Sequence, residues 1–443
     1  MKRTRLLISA VAGLAACFIL SFPVCANDDI PANTVLNPYP VPEIKYKDQS
    51  LYADFFDNHV FERLEKYLML STKAKEIIGI EEQAYRINSF DEVPDSPLFT
   101  NRNGKTRMSI DEVKRGADTG PGPDVQGAWT IKKGKVEGRN PGFFIEDSKG
   151  DTYLIKLDRK KYPEMISSCE IIGSKFFHAI GYNVPQNTIC YFRPEIITVA
   201  EDATYYDTDG FEKPFTLEKA LSLLEASAYR NADGYYRSVA SKIISGVPKG
   251  YVSLRSAREM DRNDQILHQN RRELRAYKVF SSWLNHHDAR RGNTLDMLIE
   301  TEKGWFLKQY LIDFGSCLGS HNMLYKYAEA GHTHVIDFWE ILKSWISLGF
   351  YSKPYYRRVM PFSPAVGYIR ADVFEPGQWK PMIPNYAFDA MTNRDAFWAA
   401  KIVMSFTDEQ IRAIVETGRL SLSRDRDYLT EIIIKRRDKI GEY

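Results

Sequence analysis

A chain of 443 residues with 44% hydrophobic and 13% aromatic content can bury a substantial core, which excludes a wholly disordered protein. Its formal net charge of +2 makes no overall electrostatic case for a nucleic acid or a membrane surface as partner. The length suits two or three domains, or one two-lobed unit with extensions.

Lys2, Arg3 and Arg5 precede an apolar run over about residues 6–22, and Val24-Cys25-Ala26 closes it with a small residue at the end. This is the layout of a secretory signal peptide, residues 1–26, with the mature chain starting at Asn27. The run is short for a bilayer span, which takes about 20 residues. No later segment is apolar enough to cross a membrane. The expectation is an exported protein, periplasmic or secreted, with no membrane span after signal cleavage. Cys17 and Cys25 would leave with the signal. Cys169, Cys190 and Cys317 then allow one disulfide at most, or three buried thiols.

Residues 27–127 read as an N-terminal extension. It opens with a proline-rich leader, Pro38-Tyr39-Pro40-Val41-Pro42. Phe56, Val60, Leu64, Tyr67 and Leu68 then set a helical period that continues patchily to about Tyr85. Ser109-Ile110-Asp111-Glu112 spells a capping box, in which serine and glutamate satisfy free amides reciprocally at a helix start. Glycine and proline crowd residues 116–127 and predict a linker.

From Trp129 the pattern turns to strands. Trp129-Thr130-Ile131 leads into a loop bearing Gly134, Gly138 and Gly142. Phe143-Phe144-Ile145 follows, then a turn at Lys149-Gly150, then Thr152 to Leu157 with Lys156 near its end. A helix is predicted from Pro163-Glu164 to Ile180, with Ile166, Cys169, Ile172, Phe176 and Ile180 at helical spacing and Gly181 as its stop. Glu170 flanks that stripe, whereas Glu164 lies in the first turn, where the helix dipole alone favours an acid. Further strands are predicted over 188–192 and 196–199, a Thr216-capped helix over 217–228, and a strand over 235–244. A helix over about 271–284 delivers the chain into Asn285-His286-His287-Asp288-Ala289-Arg290-Arg291-Gly292-Asn293. A hairpin turning at Glu302-Lys303-Gly304 then leads to Asp313-Phe314-Gly315. Helices at 335–348, 394–405, 408–416 and 428–440 close the chain.

An aspartate, an asparagine five residues on, and a later Asp-Phe-Gly form the layout of a phosphoryl-transfer site. Asp-Phe-Gly alone would occur by chance in roughly one chain in fifteen of this length. The order of five features carries the weight instead: lysine-ended strand, glutamate-bearing helix, helix into Asp-x4-Asn, hairpin, Asp-Phe-Gly. Over roughly residues 128–345 this order resembles the protein-kinase-like superfamily. It is similar in logic to an atypical bacterial secreted branch with HipA-type, CotH-type and secretory-pathway kinases. His287 stands where the arginine of His-Arg-Asp would be, and no Ala-Pro-Glu follows Asp313-Phe314-Gly315.

The resemblance implies a two-lobed α+β kinase-like fold. Residues 128–200 would form the N-lobe, a β-sheet plus one helix, and residues 201–443 a mainly helical C-lobe. It implies ATP and Mg²⁺ or Mn²⁺ as cofactors and a hydroxyl-bearing acceptor (protein, lipid, glycan or small molecule). Lys156 would hold the nucleotide phosphates with Glu170 orienting it, and Gly138 and Gly142 would let backbone approach them. Asn293 and Asp313 would bind metal, and Asp288 would be the catalytic residue that accepts the acceptor's proton. The same residues would also serve a nucleotidyltransferase (AMPylase), or a non-catalytic secreted pseudokinase that keeps the fold for binding.

Other motifs lead nowhere comparable. Asn103-Gly104-Lys105-Thr106 lacks the upstream glycine of a phosphate-binding loop, and no Gly-x-Ser-x-Gly elbow is present. His332 and His334 have no zinc-like partners in sequence and read as packing or surface histidines. Arg290 and Arg291 read either as groups that steer phosphate or an acidic substrate, or as solvated loop arginines.

Overall fold

A computed structural model describes residues 30, 31, 33–38, 51–70, 78, 79, 81–135, 141–207, 211–322, 324–351, 353, 355 and 360–443. The expected signal peptide, most of the leader, and Gly138 with its neighbours 136–140 lie outside the described residues.

The extension forms α1 (Leu51–Phe56), a π-helical turn (Asp57–Phe61) and α2 (Glu62–Leu68). Met69 leaves helical geometry with ψ 88, residues 71–77 of the expected continuation lie outside the described residues, and Tyr85, at its expected end, makes an isolated bridge to Arg271. Next comes α3 (Ile110–Arg115), whose Ser109–Glu112 capping box forms as predicted. Residues 116–127 hold no helix or strand, but they are tied down. Asp118 pairs with Lys175, and the Trp129 indole donates to the Asp124 carbonyl.

The strands are β1 (Trp129–Lys135), β2 (Gly142–Glu146), β3 (Thr152–Leu157), β4 (Asn187–Phe192), β5 (Ile197–Tyr206), β6 (Glu212–Pro214) and β7 (Tyr236–Lys242). They build one seven-stranded sheet in the order β4-β7-β3-β2-β1-β5-β6. Helix α4 (Met165–Ile180) follows β3, and α5 (Leu217–Ser227), capped by Thr216, follows β6.

Alternation explains which side of the sheet faces what. Trp129, Ile131, Phe143, Ile145, Tyr153, Ile155 and Leu157 point one way, into a core with Phe192, Phe215 and Leu224 of α5. On the other side Ile171 of α4 packs against Ile189 and Val239. Lys156 belongs to that second side because its neighbours Ile155 and Leu157 are committed to the first.

The expected lobe boundary at 200/201 is corrected. It falls inside β5, and the sheet also takes in β7, which pairs antiparallel with both β3 and β4. Small residues such as Ser238 and Ala240 let β7 lie buried between β3 and the edge strand β4. Arg237 on the same strand ties sheet to helices: it donates to the carbonyls of Gly418 (2.6 Å) and Arg419 (2.7 Å) and pairs with Asp158 (3.2 Å).

Two residues, β8 (Val247–Pro248), then pair with Met297 and Leu298 of the hairpin that follows. Helix α6 (Arg272–Trp283) precedes the hairpin of β9 (Thr294–Thr301) and β10 (Gly304–Leu311). The remaining helices are α7 (Phe338–Ile346), α8 (Tyr386–Asp389), α9 (Asn393–Met404), α10 (Asp408–Glu416) and α11 (Ser423–Glu442). A second core joins α4, α6, α9, α10 and α11 through Phe176, Trp283, Trp398, Ile411 and Ile433. Each such side chain contributes about 1.5–3 kcal/mol on burial. The molecule is therefore α+β, with one core on one side of the sheet and a helical core whose α4 packs against the sheet's other side. Among the described residues no helix is long and apolar enough to cross a membrane. Cys169, Cys190 and Cys317 are all buried free thiols, and burial pushes Cys169 and Cys190 up to about 12.

Candidate active site

The site forms where α4, β3 and the two loops at the hairpin's base meet. Glu170 lies on α4 at 1% exposure, and its carboxylate accepts from the Lys156 ammonium of β3. Its other oxygen accepts from the Phe314 backbone N–H at 2.9 Å. Lys156 also reaches the Asp313 carboxylate at 3.2 Å. Glu164, the sequence competitor, turns instead to Ser421, whose backbone N–H it accepts at 2.9 Å. Helical spacing thus brings Glu170, and not Glu164, to Lys156.

The hairpin places the other two loops side by side. The Ile312 N–H donates to the Asn293 carbonyl at 2.9 Å, continuing the Leu311–Thr294 pairing of β10 with β9. Asn293 and Asp313 are therefore held next to each other by backbone. The Asn293 amide N–H donates to the Asp288 carbonyl at 2.8 Å, which leaves its side-chain oxygen as the donor atom a hard cation takes. Asp313 adopts a left-handed backbone conformation, φ 61, which aspartate tolerates better than most residues. A Cβ on Gly315 would stand 2.5 Å from Asn322 Oδ1 and 3.3 Å from Glu170 Oε1, so a larger residue there would displace side chains of the site. Phe314 is fully buried and stacks on Phe177 of α4 at 5.3 Å between ring centroids.

Charge states follow from this packing. Burial pushes the Asp313 carboxyl up, but Lys156 and then Lys135 pull harder, and the net lies well below the usual carboxylate range. Burial works against the Lys156 ammonium, yet Asp313 and Glu170 hold it above its ordinary value. Glu170 is pushed up by burial, with Lys156 opposing. Asp288, 8% exposed, is also pushed up by burial; Arg290 opposes, and Asp313 adds to the rise. Burial drives His286 down to about 3 and His287 well below its usual value, so both rings are neutral packing groups. His332 stacks on Tyr355 and His334 bonds the Pro381 carbonyl at 2.7 Å, which makes both packing histidines.

Gly142 takes the place opposite Lys156 in the β2–β3 register, and a Cβ on it would lie 1.8 Å from the Ile155 carbonyl oxygen. Among the described residues no group of three or more His, Cys, Asp or Glu side chains could hold a metal. Asn293 and Asp313 alone fit a divalent ion that takes one or two protein oxygens and completes its shell from phosphates and water.

No protein-family model matches the chain, and no curated protein matches it. Solved structures do. A Helicobacter pylori proinflammatory kinase, CtkA, aligns over 73% of this chain and 98% of its own, at 12% identity and a TM-score of 0.37. The Golgi casein kinase aligns over 92% of this chain and 94% of its own, at 9% identity and TM-score 0.37. Its form with Mn/ADP bound aligns over 75% and 74%, at 8% identity and TM-score 0.36. The chemistry available to the site is set by its own side chains and not by this distant likeness.

Sequence reading missed what holds the catalytic-type loop. Arg290 and Arg291 are not solvated: each side chain is 16% exposed. Arg290 bridges Asp288 (3.0 Å) and Asp54 of α1 (3.1 Å). Arg291 pairs with Asp54 (2.8 Å) and Asp57 (2.6 Å). The N-terminal extension is thereby bonded to the loop that carries Asp288. No periodic pattern in the sequence signals a pairing across 236 positions.

Proposed function

We propose that this chain is an ATP-dependent phosphotransferase acting on a hydroxyl acceptor outside the bacterial cytoplasm, with Mg²⁺ or Mn²⁺. The observation that supports it is one constellation: a buried Lys156 bonded to both Glu170 and the partly exposed Asp313, with Asp288 and Asn293 fixed beside them by the hairpin. A buried lysine held charged by two carboxylates is a point charge poised for phosphate oxygens. A divalent ion held by Asn293 and Asp313 would neutralise charge developing on the phosphates. In the transfer, the acceptor oxygen forms a bond to the γ-phosphorus while the bond to the β–γ bridging oxygen breaks and ADP departs. The acceptor's proton passes to the Asp288 carboxylate, whose raised affinity for protons suits a base.

Binding is the first test. Mg-ATP at a hundredfold excess over Kd is expected to stabilise the mature protein by about 2.7 kcal/mol, read as a rise in Tm. No shift with any nucleoside triphosphate and divalent metal would end this reading.

The acid side of the pH profile is the second. Asp288 must be ionised to take a proton, so activity falls as pH drops through its raised pKa. Arg290, 3.0 Å away, holds that value down against burial. Arg290→Gln removes the cation and is expected to move the acidic limb of kcat/KM upward by roughly one pH unit or more. An unmoved limb would detach Arg290 from the titrating base.

A further inference from the structure

Strand β1 does not alternate simply. Trp129 and Ile131 point into the sheet core, and plain alternation would send Lys133 and Lys135 after them. The register breaks between Ile131 and Lys133: Ile131 faces Ile145, Lys133 faces Phe144, and Lys132 is the extra residue of a bulge. Beyond it, Gly134 takes the core side, opposite Phe143, where a Cβ would run into the Phe215 ring. Lys135 is thereby turned to the other side, the side of Lys156. Lys135, Gly142 and Lys156 form one row across β1, β2 and β3. The two lysines stand two strand spacings apart, about 10 Å between backbones. Gly142 between them contributes no side chain.

We propose that Lys135 is a second nucleotide-binding lysine, which grips the phosphate chain of a nucleoside triphosphate from β1 while Lys156 holds it from β3. This rests on the phosphotransferase reading above. Bulges beside active sites re-aim side chains, and this one turns an ammonium to the side of the sheet that carries Lys156, within electrostatic reach of Asp313. Three carboxylates, Glu170, Asp313 and Asp288, share this site; Arg290 is paired to Asp288, and Lys156 is divided between Glu170 and Asp313, so Lys156 offsets only part of the repulsion that an incoming polyphosphate meets. Lys135 adds the second cation where the sheet leaves room. It is half-buried, and burial holds its ammonium down to about 8; Lys156 adds to the fall, while Asp313 and Glu170 oppose it. A phosphate between the lysines would restore its full charge.

The test compares Mg-ATP, Mg-ADP and adenosine binding by calorimetry in wild type, Lys135→Met and Lys135→Arg. A charge-assisted phosphate contact predicts a loss of roughly tenfold or more for Mg-ATP in Lys135→Met. Adenosine affinity should stay unchanged, and Lys135→Arg should bind Mg-ATP within about threefold of wild type. If wild type binds Mg-ATP and Lys135→Met binds it equally well, this proposal fails and the phosphotransferase reading stands. Equal losses for Mg-ATP and adenosine would make Lys135 a structural counter-ion of Asp313 and overturn it too. No nucleotide binding by wild type would remove both readings together.

Discussion

Asp288→Asn is expected to slow ADP release from Mg-ATP by roughly 10²–10⁴-fold while changing Mg-ATP affinity less than about threefold. The substitution keeps the side chain's shape and leaves an oxygen for Arg290, which now bonds it at 3.0 Å. What it removes is the ability to take a proton. The Asp288 backbone carbonyl still accepts from Asn293, so the loop keeps its geometry. Asp313→Ala should behave in the opposite way. It strips the carboxylate from Lys156 and from the proposed metal position, so nucleotide binding itself should collapse together with any dependence on Mg²⁺ or Mn²⁺. Measured side by side, the pair separates proton acceptance from nucleotide holding. If Asp288→Asn turned over as fast as wild type, Asp288 would not be the base, and a non-catalytic binding protein would be the better reading.

The sequence was most legible where one local rule decided the outcome. Lys156 was readable because Tyr153, Ile155 and Leu157 claim one face of β3 and leave it the other. Glu170 was readable because helical spacing brackets it with core residues, and Asn293 and Asp313 because a hairpin brings its two ends together. Legibility failed where geometry departs from its ideal period or depends on distant residues. A single extra residue in β1 reverses the faces of Lys133 and Lys135, and nothing in Trp-Thr-Ile-Lys-Lys-Gly-Lys announces it. Strand β7 returns to the sheet's interior from beyond residues 200–232, so the lobe boundary at 200/201 that the resemblance implied falls within the sheet. The extension looked separable from the body because its ties to it are ion pairs, and ion pairs have no period.

Those ties lead to the second large effect: Asp54→Ala is expected to lower stability by about 3–5 kcal/mol, read as a shift of the urea midpoint. Asp54 is 3% exposed, and both of its oxygens are engaged. Oδ2 takes Arg290 at 3.1 Å; Oδ1 takes Arg291 at 2.8 Å and the Asn58 amide at 2.8 Å. Removing the carboxylate leaves two largely buried guanidinium groups short of a partner, which costs more than the pairing itself is worth. Arg290 keeps Asp288 and Arg291 keeps Asp57, so the loss has an upper bound. A double-mutant cycle of Asp54→Ala with Arg290→Ala isolates the link, with a coupling of about 1–3 kcal/mol expected. Because Arg290 joins Asp54 to Asp288, Asp54→Ala should also lower the acidic limb of kcat/KM, as Arg290 turns wholly to the base. Additivity within about 0.5 kcal/mol, with an unmoved limb, would show that the extension merely lies against the catalytic-type loop.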